Sequence, residues 1–169
     1  MIKILAAISL SGVVLASATQ ASELALSVEL PQIDVAEYHR PYVAAWLQND
    51  DSGDVTNLAV WYQLDKADDK GEQWLKDMRQ WWRRSGRSLD MPVDGVTGAT
   101  QQPGVYSIDT SKVAKDLASG NYKLYVEAAR EVGGRELLKI PFQWPAHSAQ
   151  TLETQGHSEL GKIVLQLAP

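Results

Sequence analysis

Strict alternation of apolar and polar residues runs through most of this chain. Leu26, Val28 and Leu30 alternate with Ser27 and Glu29, and Leu58, Val60, Tyr62 and Leu64 alternate with Asn57, Ala59, Trp61 and Gln63. Tyr122, Leu124, Val126 and Ala128 stand against Lys123, Tyr125 and Glu127; Leu138, Ile140, Phe142 and Trp144 stand against Lys139 and Gln143; Ile163, Leu165 and Leu167 repeat the pattern at the end. A period of two residues marks a strand that buries one face. With residues 42–48 and 105–108 added, the count reaches about seven strands, the number of an antiparallel β-sandwich. Gly133 and Gly134 can take positive φ without steric cost and predict a hairpin between 122–130 and 135–143. The polar run 49–54 reads as an Asx-rich turn. A calcium loop would need a bidentate Glu at its twelfth position, and counting from Asn49 or Asp50 that position is Val60 or Trp61.

One segment follows the helical period instead. Trp74, Leu75, Met78, Trp81 and Trp82 form a stripe opposite Lys76, Asp77, Arg79, Gln80, Arg83 and Arg84, which predicts one inserted amphipathic helix over 72–84 with Gly86 near its end. Packing is expected through Trp74, Met78 and Trp82, with Trp46 and Trp144 in core strands and Trp61 and Trp81 as the exposed pair. Residues 87–104 lack periodicity and carry Pro92, Pro103 and Gly104, so a surface loop is expected there.

The start of the chain has a different character. Lys3 precedes an apolar run over 4–15, and the small residues of Ala16-Ser-Ala18 and Thr19-Gln-Ala21 follow. That order predicts a cleaved secretory signal over 1–21 and a periplasmic protein. Stable membrane insertion is not expected, because a spanning helix needs about 20 apolar residues and Ser9, Ser11 and Gly12 interrupt this run. Cleavage after Ala21 would leave 148 of 169 residues, 22–169, as a single domain. Without Lys3 the chain keeps 15 Lys and Arg against 21 Asp and Glu, a net charge of about −6, which argues against nucleic acid as a partner. The absence of cysteine excludes a disulfide framework, thiol catalysis and iron–sulfur clusters.

Within the 87–104 loop lies the stretch that reads as chemistry. Asp94-Gly-Val-Thr97-Gly98-Ala99-Thr100 fits Asp-x-x-(Ser/Thr)-Gly-Ala-(Ser/Thr), and so resembles the flavinylation motif of FMN-binding domains in periplasmic electron-transfer proteins. The resemblance implies covalent FMN, attached by a magnesium-dependent FMN transferase that splits FAD and esterifies the last hydroxyl of the motif, here that of Thr100. An external enzyme needs an accessible acceptor with little bulk around it, and Gly98 and Ala99 supply a small profile. Thr97 would help present the loop and Asp94 would contact the transferase or its metal.

A second resemblance spans nearly the whole exported chain. Arg40-Pro-Tyr-Val-Ala-Ala-Trp46, Asn57-Leu-Ala-Val-Trp-Tyr62, Trp81-Trp82-Arg83, the 94–100 motif, Pro103-Gly-Val-Tyr106, Ile140-Pro-Phe-Gln-Trp144 and Gly156-His-Ser-Glu-Leu-Gly161 together resemble the family called domain of unknown function 2271. Gly120-Asn-Tyr-Lys-Leu-Tyr-Val-Glu127 is also similar to a strand of flagellar-hook-cap-like immunoglobulin domains. The family resemblance implies an Ig-like sandwich encoded near FMN transferases and membrane flavin or haem reductases, and it brings no assigned reaction. The chain is then a redox carrier and a substrate of the transferase rather than an enzyme. The alternative is a cofactor-free Ig-like module that binds an envelope partner.

Other candidates have plainer readings. Arg79, Arg83, Arg84 and Arg87 precede the motif and fit either a phosphate clamp or a solvated helix face. His39, His147 and His157 are scattered, and His157 with Glu159 is a weak metal spacing. No Gly-x-Ser-x-Gly elbow is present.

Overall fold

A computed structural model describes residues 22–65 and 70–169; the expected leader over 1–21 lies outside them. The alternating segments form strands, named here β1 (Glu23–Leu30), β2 (Tyr42–Asn49), β3 (Val55–Tyr62), β5 (Gly104–Ile108), β6 (Gly120–Ala129), β7 (Arg135–Trp144) and β9 (Lys162–Ala168). Two more, β4 (Thr97–Ala99) and β8 (Gln150–Gln155), raise the expected seven to nine. They form a four-stranded sheet in the order β5-β1-β9-β8 and a five-stranded sheet in the order β4-β3-β2-β6-β7. Every pairing is antiparallel except β3 with β4, which is parallel. The inward faces meet in one core, with Leu26, Val28, Ile163 and Leu165 of one sheet against Val43, Leu47, Leu124 and Val126 of the other. The molecule is therefore a β-sandwich. Burial of each such side chain contributes roughly 1.5–3 kcal/mol.

The five-stranded sheet is covered on its outer face as well, so β2 is buried along most of its length instead of alternating. Tyr42, Ala44, Trp46, Val60 and Tyr62 pack there against Leu75, Met78 and Trp81. The covering segment is not the continuous helix that its stripe predicts. A 3₁₀ turn over Glu72–Asp77 is followed by α1 (Arg79–Arg84), and the break falls at Met78, whose ψ of 71° lies outside the helical region. The break changes the phase of the stripe. Trp74 is 42% exposed, Trp82 is half-buried, and Trp81 is fully buried.

The buried carboxylate of Glu127 on β6 explains the change, because it accepts the backbone N–H groups of Gln80 (3.1 Å) and Trp81 (2.7 Å). Those amides open α1 and lack partners inside it, so Glu127 pins that end of the helix to the sheet. The Trp81 indole then lies inward, donating to Asn57 Oδ1 at 2.8 Å. Gly86 is required beneath it, since a Cβ there would come within 2.5 Å of the ring. Trp61 also proves buried, at 8% exposure, because its strand is covered on both sides. A further short helix, α2 (Ser111–Asp116), was not predicted and buries none of its residues.

Both predicted turns form. Asn49 Oδ1 accepts from the N–H groups of Asp51 and Ser52. The β6–β7 hairpin has a different chemistry from the one expected, since the residue with positive φ is Val132 (53°) rather than either glycine. Gly133 and Gly134 are there for space: a Cβ would lie 2.5 Å from the Arg130 guanidinium at the first and 2.9 Å from the Glu159 carboxylate at the second.

Candidate functional site

Strand β4 is the edge of the five-stranded sheet and β5 the edge of the other, so the four residues between them cross from one sheet to the other. The 94–100 motif leads into this crossing. It begins in a turn: the N–H groups of Val96 and Thr97 donate to Val93 O at 3.2 and 2.9 Å, and Gly95 has φ of +73° with open space around it. Thr97 Oγ1 accepts the Val93 N–H at 2.8 Å and closes the turn. Asp94 is exposed at its tip.

The chain then adds to the sheet edge in register, Val60 with Thr97, Trp61 with Gly98 and Tyr62 with Ala99. Flanking bonds lock it at both ends, Val60 N–H to Val96 O at 2.9 Å and Thr100 N–H to Tyr62 O at 3.1 Å. Thus the predicted loop contains a strand. Thr-Gly-Ala has little intrinsic strand preference, and the ladder offered by β3 decides its conformation. A Cβ on Gly98 would sit 3.0 Å from Cδ1 of Trp61, so Gly98 serves close approach to the indole. The Trp61 ring in turn meets Tyr106 of β5 edge-on, with centroids 5.7 Å apart. Tyr106 donates its hydroxyl to Gln102 O at 2.8 Å. With the Gln102 amide turned to satisfy both groups, its oxygen accepts from Arg40 Nε at 3.1 Å and Nη2 at 2.5 Å.

The two threonines of the motif differ in what their hydroxyls do. That of Thr97 is taken up by the turn. Thr100 is half-buried just beyond the strand, tied by its backbone, and its hydroxyl has no hydrogen bond among the described residues. Ala99 beside it is exposed.

The remaining sequence candidates are dispersed. Arg79, Arg83, Arg84 and Arg87 are exposed, and Arg83 turns back onto Arg79 O and Gln80 Oε1; none of the four is hydrogen-bonded to the motif. His157 and Glu159 do not converge as ligands. Glu159 is buried against Arg130 at 2.8 Å, while the His157 N–H donates to Glu136. No group of three or more His, Asp or Glu among the described residues is placed to hold a metal ion.

Sequence reasoning missed this carboxylate network. Glu136 accepts four backbone N–H groups, from His157, Ser158, Glu159 and Leu160, at 2.7 to 3.1 Å. Burial raises the pKa of that carboxyl, and the four donors together outweigh it, so it lies below the ordinary carboxylate value. The only trace in the sequence is a carboxylate at Glu127, Glu136 and Glu159 in otherwise unremarkable polar positions.

The sequence profile of one family, described as "Predicted periplasmic protein (DUF2271)", matches residues 23–162. The chain belongs to that family. Its description carries the periplasmic location expected from the leader. The match takes in the motif, the cover over the five-stranded sheet and the Glu136 network alike. No helix among the described residues is long and apolar enough to cross a membrane. No curated protein and no solved structure matches the chain.

Proposed function

We propose that the protein is a periplasmic electron carrier bearing FMN as a phosphoester on Thr100. The observation that carries this reading is the contrast between the two motif hydroxyls, one consumed by its turn and the other held at a sheet edge with no hydrogen bond among the described residues. The residues fit the group. Gly98 lets the strand lie flat on Trp61 and Ala99 keeps the acceptor's surroundings small. Asp94 stands exposed in the turn that opens the motif, without a hydrogen bond or ion pair among the described residues.

In the attachment, the Thr100 oxygen forms a bond to the FMN phosphorus of FAD, the bond from that phosphorus to AMP breaks, and the hydroxyl proton is released with AMP. When bound, the flavin supplies one- and two-electron transfer. The chain supplies the anchored acceptor, the compartment and a surface for redox partners. Those partners would be the FMN transferase and a membrane flavin or haem reductase.

Co-expression with an active FMN transferase tests the reading. Tryptic digestion should place the FMN mass on the peptide 88–112, and Thr100→Val should abolish in-gel flavin fluorescence. Thr97→Val should only reduce it, and Asp94→Ala should slow modification. An unmodified peptide, with a known acceptor modified in parallel, would leave the cofactor-free binding module as the better account.

A further inference from the structure

A groove of about 190 Å³ opens beside the sheet crossing, and Trp74, Tyr42, Gln63, Arg40, Arg130 and Val132 contribute to its walls. Two bonds tie it to the acceptor. Gln63 follows directly on Tyr62, whose carbonyl holds the Thr100 N–H, and Arg40 is bonded to Gln102 two residues beyond Thr100. A ligand tethered at Thr100 by a flexible chain would therefore meet this groove beside its anchor.

Three features mark the groove. Trp74 is 42% exposed while Leu75, Met78 and Trp81 of the same stripe are buried. Val132 on the rim is β-branched, has φ of 53° and is 77% exposed. That conformation is strained for such a residue, and strain of this kind collects at ligand clamps. Arg130 has a side chain only 6% exposed; it pairs with Glu159 through Nε and Nη2, while its Nη1 is buried without an acceptor among the described residues. An unsatisfied buried donor is unfavourable, and a carbonyl entering beside it would offset part of that cost.

From these we infer that the groove seats the isoalloxazine ring of a flavin carried on Thr100, with the ring face on Trp74 and the pyrimidine edge toward the arginines. This inference rests on the reading of Thr100 given above. The chemistry of that edge is acceptor, donor, acceptor: two carbonyls flanking an N–H. The groove has matching groups of both kinds, Arg40 and Arg130 as donors and the carboxylates of Asp77 and Glu131 as acceptors. An indole face provides the apolar stacking surface for the tricyclic ring.

The test uses the full chain flavinylated by co-expression, with intact mass and flavin emission measured on each sample. A stacked indole quenches flavin emission by electron transfer, so native protein should be clearly dimmer than the same protein unfolded in guanidinium. Trp74→Leu, at an exposed position, should keep the FMN mass and a native circular dichroism spectrum while regaining most of that emission. Arg40→Gln should keep the mass and lower the visible circular dichroism of the flavin, because the ring loses an orienting donor. Protein without the FMN mass overturns the reading of Thr100 and the seat together. Protein that carries the mass but is as bright native as unfolded, or that stays dim after Trp74→Leu, overturns the seat alone.

Discussion

Two glycine-containing loops of this sandwich look alike in composition and differ in what their polar groups do. In 156–161, between β8 and β9, the backbone N–H groups of four successive residues point at Glu136, Lys162 N–H just beyond them is held by Glu29, and Glu159 is spent on Arg130 and the Gly134 N–H. In 93–100 the backbone is satisfied by its own turn and by the β3 edge, and the Asp94 carboxylate and Thr100 hydroxyl have no bond among the described residues. The first loop has the residue types of a metal site and is a structural clasp. The second has ordinary loop residues and leaves a carboxylate and a hydroxyl unbonded among the described residues. What separates them is the bonding of each polar atom, which composition does not report.

The comparison predicts a graded set of costs, and the largest should come from the clasp. Glu159→Ala would leave the largely buried Arg130 guanidinium without its carboxylate, and breaking one side of a buried pair costs about 3–5 kcal/mol. Urea unfolding should show a fall of that order in wild-type against variant stability. A change below about 1 kcal/mol would mean the clasp is ornamental, and the contrast with the motif would collapse.

Glu136→Gln should come next. The amide still accepts some of the four N–H bonds but loses the charge that strengthens them, and partial exposure screens the loss to roughly 1–2 kcal/mol. The loss should depend on pH with a definite sign. The folded pKa of Glu136 lies below the ordinary carboxylate value of 4.5. Its contribution is therefore complete above the unfolded value and disappears as pH falls through the folded one. Unfolding curves of the two proteins should differ clearly at neutral pH and converge in acid. A gap that persists unchanged in acid would show that Glu136 acts by shape and not by charge.

The same contrast explains how much of the molecule could be read from its residues. Strands that bury one face announce themselves, so β1, β6, β7 and β9 were legible from alternation together with the β6–β7 hairpin. β4 and β8 were not, because Thr-Gly-Ala is too short to show a period and Gln-Thr-Leu-Glu-Thr-Gln is polar nearly throughout. The tryptophans of the cover were misassigned for a physical reason: their phase depends on the break at Met78 and on Glu127, which holds the Trp81 N–H from a strand 46 residues further along the chain. The motif was legible as a string of residues, while its conformation was decided by the edge of β3. The Arg130–Glu159 and Glu136 contacts pair residues 29 and 21 or more positions apart, and no local pattern encodes such distances.

The smallest effects, and the sharpest test of the comparison, lie within the motif itself. Thr97→Val removes the acceptor for the Val93 N–H while keeping the β-branched shape. One hydrogen bond of that kind is worth about 1 kcal/mol, so the variant should lose about that much and its turn should loosen. Thr100→Val removes a hydroxyl that makes no hydrogen bond among the described residues. The methyl that replaces it keeps the volume of the half-buried side chain, so the change should stay within about 0.5 kcal/mol. Denaturant midpoints of the two variants, measured on protein never exposed to a transferase, separate structural from chemical use of a hydroxyl with no cofactor present. If Thr100→Val costs as much as Thr97→Val, the Thr100 oxygen has a partner within the fold, and it is no longer the free nucleophile that flavinylation needs. If only Thr97→Val is costly, the motif has one hydroxyl for its own architecture and one available to an outside enzyme.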